Sequence, residues 1–159
     1  MKQCKFGILG VIVGGIAGVI STVKFLEKRI VRKEKDVYRF HTYYNMLRCW
    51  VTVKQKGKSI ADYLNDKGYS KIAIYGMGEV GVLFLDELKG SSVQVKYGID
   101  RNADERCADV EIVQPSKDME TVDAIVVSAV FAYDEIKDML EEMVDCPILA
   151  LDDLIYEVK

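Results

Sequence analysis

The feature that most constrains this chain is a glycine-rich turn between an apolar run and a helical pattern, in the segment KIAIYGMGEVGVLFLDEL. Residues 72–75 are typical of a short buried strand, and the turn Gly76-x-Gly78-x-x-Gly81 follows directly. Gly76 makes the tight turn, Gly78 leaves the backbone open to close approach, and Gly81 lets the next helix lie against the sheet. This order is that of the dinucleotide-binding fingerprint, in which the pyrophosphate sits at a helix N-terminus.

An acidic residue ends the next apolar run, residues 93–99. Asp100 would accept hydrogen bonds from the 2′-OH and 3′-OH of a ribose, which favours NAD or another unphosphorylated ribose over NADP. Arg101 complicates that interpretation, because a guanidinium pairs with a 2′-phosphate or stacks on adenine. Because Asp is common in turns, the alternative for Asp100 is a strand-end turn residue without a ligand.

The C-terminal part of the chain alternates apolar runs with helical patterns. We predict strands at residues 72–75, 93–99, 110–113, 124–128 and 147–151, and helices at 79–88, 131–144 and 152–158, the last capped by Asp152 or Asp153. In the first helix, Val80, Leu83, Phe84 and Leu88 are expected on the buried face. The alternation predicts an α/β fold: a Rossmann-like, five-stranded parallel sheet of strand order 3-2-1-4-5, with right-handed crossovers.

Ligands of such sheets bind where the strand order reverses, at the carboxyl ends of the strands. Three segments are expected to meet there: the glycine turn, the end of the second strand and the end of the fourth. The predicted cofactor-binding residues are Gly76, Met77, Gly78, Glu79, Val80, Gly81, Asp100, Arg101, Ser128 and Ala129. The predicted ligand is NAD(H), with a nucleotide sugar as the alternative. Glu79 is expected to point outward, because its carboxylate would repel a phosphate.

Residues 6–23, FGILGVIVGGIAGVISTV, carry no charge. As a helix they would extend about 27 Å, enough to cross the apolar core of a bilayer. The glycines at 10, 14 and 18 would weaken a helix in water but form a close-packing ridge in a membrane. We therefore predict a single-pass membrane anchor; a cleaved signal peptide and a buried soluble helix are the alternatives. Lys and Arg are denser after this segment, which predicts a cytoplasmic C-terminal domain.

Residues 24–55 contain no Gly and no Pro and are expected to form a connecting helix. Apolar residues recur along it at heptad spacing, with Lys33 as the exception: Ile30, Val37, Tyr44 and Val51, and Leu26, Phe40 and Leu47. This stripe predicts either a coiled coil with a second copy or packing on the α/β domain. We favour packing for residues 43–53, with Trp50, Tyr43 and Met46 as contacts, and leave pairing open for the rest. The predicted division is 1–23 anchor, 24–68 helical connector and 69–159 nucleotide-binding domain.

Charge and cysteine content limit the classes of function. The net charge is −3 and the C-terminal part presents no basic face, so nucleic acid is not an expected partner. Residues 1–60 are basic and residues 100–159 acidic, as for a membrane-proximal or interaction segment before an acidic domain. The 4 cysteines are scattered without a CxxC pair, which argues against a zinc site and a disulfide framework and fits a reducing compartment.

We predict no catalytic residue and no metal site. Tyr133 and Lys137 match the YxxxK pattern of short-chain dehydrogenases, but Ser128 is too close upstream and the glycine pattern differs from theirs. An NAD-dependent sugar-nucleotide dehydrogenase or epimerase using this pair is one alternative function. The other is a structural interaction domain whose crevice is closed by Phe131 or Met77.

Four segments together, IAIYGMGEVG, YGIDRN, DAIVVSAVFAYDEI and CPILALDDL, carry a resemblance. They resemble small Rossmann-like NAD(P)-binding domains, similar to those associated with bacterial polysaccharide and capsule biosynthesis proteins. The resemblance implies a nucleotide or nucleotide-sugar ligand on Gly76, Gly78, Gly81 and Asp100, and a membrane or glycosyltransferase protein as partner. The chain is also similar to the nucleotide-sensing domains of potassium transport systems, which share the glycine turn and the strand-end acid.

Overall fold

A computed structural model of the chain describes residues 3–105 and 108–159, with side chains from residue 24 onward. By its contacts the chain divides into two units, Met1–Tyr44 and Asn45–Lys159. The first helix, α1, spans Gln3–Gln55 and contributes to both. Within the described part, no helix is long and apolar enough to cross a membrane. The side chains of the predicted membrane segment, residues 6–23, are not among those described, so the membrane anchor stays a prediction.

The second unit is built on a parallel sheet. Its strands are β1 (Lys71–Tyr75), β2 (Gln94–Ile99), β3 (Ile112–Val113), β4 (Ala124–Val127) and β5 (Ile148–Ala150). They pair in the order β3-β2-β1-β4-β5, and every neighbouring pair is parallel. The predicted fold class and strand order are confirmed, and the unit is Rossmann-like. Four of the five predicted strands run one or two residues too long, since residues such as Val93 are buried without joining the ladder, whereas β1 begins one residue before the prediction.

Four further helices surround the sheet: α2 (Ile60–Asp66), α3 (Glu79–Leu88), α4 (Tyr133–Glu141) and α5 (Leu151–Val158). Short 3₁₀ turns lie at Ala103–Glu105 and Val130–Ala132. The second turn replaces the start of the longer helix predicted at 131–144. At α5 the prediction of an aspartate cap is wrong, because the helix begins one residue earlier and Ala150 occupies the cap position.

One face of the sheet is covered by α3, α5 and the end of α1. The Trp50 ring meets Phe84 of α3 edge-on, with the ring centroids 6.1 Å apart, and the Cys49 thiol lies 3.9 Å from the Ile155 carbonyl of α5. Met46 and Val53 are fully buried. Packing of this end of α1 on the α/β unit, with Trp50 and Met46 as contacts, is therefore confirmed.

The packing uses a different face of α1 from the heptad stripe. Leu47 and Val51, the stripe residues of the second unit, are exposed, and so is Tyr44 in the first unit. The expectation that the stripe itself packs on the domain over residues 43–53 is therefore wrong. Trp50 and Met46 belong to the other side of the helix, which the heptad spacing does not mark.

The buried face of α3 also differs from the prediction. Leu83 was expected inside but is 51% exposed, whereas Gly81, Phe84, Leu85 and Leu88 are buried. The spacing of these four residues is that of one helical face. The close approach of Gly81 to the preceding turn sets the rotation of the helix, and this rotation turns Leu83 outward.

The opposite face of the sheet is covered by α4. Tyr75, Tyr97 and Ile99 form a core cluster with Ile136 and Leu140 of that helix. Since successive strand residues point to opposite faces, Tyr75 lies on the α4 side and Ile74 on the α3 side. Tyr75, the last residue of β1, thus brings the core close to the carboxyl edge of the sheet.

At the amino edge, the carboxylate of Asp123 ties β4 to β1. Its Oδ2 accepts the Lys71 N–H at 2.7 Å, the Ser70 N–H at 2.9 Å and the Ser70 hydroxyl at 3.0 Å. These bonds, led by that from Lys71, lower the pKa of Asp123 below its ordinary value. The charged form is therefore part of the folded structure.

We expect Trp50→Ala to destabilise the protein by about 3–5 kcal/mol, because it leaves a cavity between α1 and α3. Leu83→Ala should change the free energy of unfolding by about 0.5 kcal/mol or less, because Leu83 is exposed. Urea unfolding followed by circular dichroism measures both. Equal effects of the two substitutions would contradict the observed rotation of α3.

The contribution of Asp123 to stability should be present at neutral pH and lost at low pH. Because its pKa is lowered on folding, its contribution is complete above the unfolded value of about 3.9 and is lost as the pH falls through the folded value. Asp123→Asn should therefore lower the melting temperature at pH 7 and have a smaller effect at pH 3. Asp138→Asn, which alters an exposed carboxylate on α4, is the control and should leave the melting temperature unchanged at both pH values.

Candidate functional site

The chain leaves β1 through a turn that only glycine can make. Gly76 has a φ of 91°, in the left-handed region, and its N–H donates to the Ile99 carbonyl of β2 at 2.8 Å. A Cβ added at Gly76 would lie 2.9 Å from the Ser128 hydroxyl and 3.3 Å from the Ala129 Cβ. The turn is thus packed directly against the end of β4, where the strand order reverses.

Gly81 lets the first turn of α3 pack on the same point. A Cβ there would lie 2.1 Å from the Gly76 carbonyl oxygen, a distance that no side chain tolerates. The Ser128 hydroxyl donates to this oxygen at 2.5 Å. Gly76, Gly81, Ser128 and Ala129, which the sequence placed at one crevice, are brought together by the fold.

Gly78 has a different environment from the other two glycines. It is the N-cap of α3 with ordinary extended backbone angles, and a Cβ added to it would meet nothing within 4 Å. No side chain caps this helix, and its first internal bond runs from the Val82 N–H to the Gly78 carbonyl. The N–H groups of Glu79, Val80 and Gly81 therefore have no acceptor within the helix, and they carry its partial positive charge.

Asp100 is buried at the end of β2, and its carboxylate holds two backbone segments. Oδ2 accepts the Met77 N–H at 3.0 Å, and Oδ1 accepts the Asn102 N–H at 2.9 Å. Asp100 therefore fixes the glycine turn to β2 and closes its own turn. Ribose binding by Asp100 stays a prediction.

Met77 packs inward. Its side chain is buried, and a Cβ added at Gly98 would lie 2.7 Å from its Cγ and 2.8 Å from its sulfur. Gly98 thus makes room on β2 for Met77, on the α3 side of the sheet. Of the predicted site residues, Met77 can offer a ligand only its backbone, whereas the Glu79 side chain is exposed as expected.

Arg101 is exposed and paired across the crevice with α4. Its guanidinium lies 2.9 Å from the Glu135 carboxylate, which raises the pKa of Arg101, and the Tyr75 hydroxyl contributes to the same shift. The Tyr75 hydroxyl is itself buried, with the Arg101 guanidinium as its neighbour.

Sequence reasoning missed both Tyr75 and Glu135 as neighbours of the site. Tyr75 counted only as an apolar strand residue, although a hydroxyl-bearing side chain immediately before the glycine turn is a usable signal. Glu135 lies on α4 and belongs to no motif. No local pattern connects it with Arg101, because their meeting depends on the position of α4.

The geometry gives no support to an acid–base pair on α4. The Tyr133 hydroxyl donates to the Ile148 carbonyl at 2.8 Å, and burial raises its pKa, whereas an active-site tyrosine needs a lowered one. Lys137 pairs with Glu141 at 3.7 Å. The side chain of Tyr133 is packed against the core cluster on the α4 side of the sheet.

Comparison of the chain with protein-family models, with curated proteins and with solved structures finds no match. The class of the second unit is therefore defined by its own geometry. It is a Rossmann-like α/β unit, with strand order 3-2-1-4-5 and a glycine turn at the switch point between β1 and β4.

Substitution of Gly81 should destabilise the protein much more than substitution of Gly78. Gly81→Ala should destabilise the protein by about 3 kcal/mol, because its Cβ meets backbone that cannot move freely. Gly78→Ala should cost about 1 kcal/mol or less, the difference between glycine and alanine at an N-cap. Thermal and urea unfolding of both variants measure the contrast. A tolerated Gly81→Ala would contradict the packing described above.

Proposed function

We propose that this chain is a membrane-anchored, cytosol-facing module that binds NAD(H) or a nucleotide sugar and acts as an accessory to cell-envelope polysaccharide biosynthesis. The observation that carries the proposal is the open space over Gly78 beside an uncapped helix N-terminus. Nothing in the packing of α3 calls for glycine at position 78. Close approach of a phosphate to the backbone supplies a reason for it.

The neighbouring groups fit the rest of a nucleotide. A carboxylate at the end of β2, such as that of Asp100, accepts hydrogen bonds from ribose hydroxyls, which favours NAD(H) over NADP(H). Arg101 is exposed and can stack on an adenine ring while it keeps its ion pair with Glu135. These groups recognise a ligand but supply no nucleophile or general base.

The membrane and partner parts of the proposal rest on the sequence. Residues 6–23 supply the anchor, and the Lys and Arg residues after it place the second unit on the cytoplasmic side. Since the crevice offers binding groups without a catalytic set, the proposed role is to carry or sense a nucleotide for a partner membrane protein or glycosyltransferase.

The test is a thermal-shift panel on the full chain in detergent, with NAD⁺, NADH, NADPH and a UDP-sugar. We expect NAD(H) or the UDP-sugar to raise the melting temperature, by about 2.7 kcal/mol of added stability when the ligand is at 100 times its dissociation constant. Gly78→Val should abolish this shift and cost the ligand-free protein only about 1 kcal/mol, the penalty of an apolar N-cap, because the added Cβ meets open space.

Ser92→Val, in the loop between α3 and β2, is the matched control and should keep the shift. Absence of a shift with every nucleotide, in a chain that melts cooperatively, would overturn the proposal in favour of a structural interaction domain. A shift that survives Gly78→Val would place the ligand elsewhere.

A further inference from the structure

The first unit carries a row of large apolar side chains on the surface of α1. We call it the heptad stripe and define it as Leu26, Ile30, Val37, Phe40 and Tyr44, all of which are exposed. Val37 and Phe40 are 69% and 76% exposed. Exposed apolar side chains are common singly, but their recurrence at heptad spacing, interrupted only by Lys33, indicates a surface that another molecule covers.

The second unit shows which side of the helix remains open. Its part of α1 buries Met46, Cys49 and Val53 and leaves Leu47 and Val51 exposed, and these two continue the spacing of the heptad stripe. At about 100° per residue, the buried and exposed sets lie on nearly opposite sides of the helix. Folding of the α/β unit thus uses one side of α1 and does not use the heptad positions.

The spacing identifies the occupant as another helix of the same repeat. A seven-residue apolar repeat keeps its face in contact only with a helix that supercoils around it. From residue 26 to residue 44 the heptad stripe extends about 27 Å, and Leu47 and Val51 add about two turns in the sequence. A second copy of this chain presents the same repeat and the same length.

We infer that the heptad stripe pairs with the same stripe of a second copy as a parallel, in-register coiled coil. The parallel direction rests on the proposed membrane anchor, which holds the N-termini of both copies in one membrane. In this arrangement Arg29 lies next to Glu34 of the second copy, and Asp36 lies next to His41 of the second copy. Each contact brings together groups of complementary charge or hydrogen-bonding character.

Lys33 is the one polar residue within the repeat. In the parallel pair two ammonium groups meet at this position, which weakens the pair and disfavours registers that place both lysines against apolar side chains. The coiled coil is therefore reversible, and Lys33→Leu should strengthen it.

The first experiment measures self-association of the full chain in detergent micelles by sedimentation and by dilution of fluorescently labelled protein. Val37→Glu should raise the dissociation constant of the dimer at least about 100-fold, because two carboxylates enter an apolar seam. Lys33→Leu should lower it about tenfold. Val31→Glu is the matched control: Val31 is also half-exposed on α1, at 50%, but lies off the heptad stripe.

The second experiment tests direction and register by oxidative cross-linking in a Cys4→Ser background. Ile30→Cys should give a disulfide-linked dimer, because a parallel in-register pair places the two positions side by side. Arg32→Cys, off the stripe, should give at most a trace. In an antiparallel pair centred on the stripe, the two Ile30 positions would lie about 15 Å apart along the helix axis, too far for a disulfide.

A monomeric parent chain, a Val37→Glu dimer as tight as the Val31→Glu dimer, or equal cross-linking at positions 30 and 32 would each overturn the inference. Failure of the proposed function can be told apart from failure of this inference. Flotation of the chain with phosphatidylcholine vesicles reports the anchor, and the nucleotide thermal shift of the Val37→Glu variant reports the crevice. Neither readout depends on the heptad stripe.

Discussion

The contact on which the rest of the second unit depends is the one between Gly81 and the carbonyl of Gly76. It holds the first turn of α3 against the end of β1, and the Ser128 hydroxyl bonds the same oxygen from β4. Its consequence is the rotation of α3, which buries Phe84 against Trp50 and turns Leu83 to the surface. The free N–H groups of α3 come to lie at the switch point for the same reason.

Two carboxylates hold the opposite edges of the sheet. Asp123 ties β4 to β1 at the amino edge, and Asp100 ties β2 to the glycine turn at the carboxyl edge. Both accept backbone N–H groups, so each strengthens the strand arrangement through charge-assisted bonds. A crevice held in this way is pre-organised, and a ligand entering it loses little free energy to ordering of the protein. The Asp100 side chain thus stabilises the fold and is also the proposed ribose-binding group.

Helix α1 has one side that packs on the α/β unit and another that carries the heptad stripe. Met46, Trp50 and Val53 complete the core of the α/β unit. The apolar residues of the heptad stripe are exposed to water, which is unfavourable, and the proposed association with a second copy would bury them. A module that binds a nucleotide and pairs through its connector would present two crevices on one membrane surface.

The sequence by itself determined the strand order, the glycine turn and the meeting of Gly76 with Ser128. These follow from local patterns, because alternating apolar runs and obligatory glycines act over a few residues. Only the tertiary structure decided the exposure of Leu83, the ion pair of Arg101 with Glu135 and the inward packing of Met77 on Gly98. The side of α1 that faces the core belongs to the same group. Each depends on how one element is rotated or placed against another, and that is set by the fit of whole surfaces rather than by residue spacing.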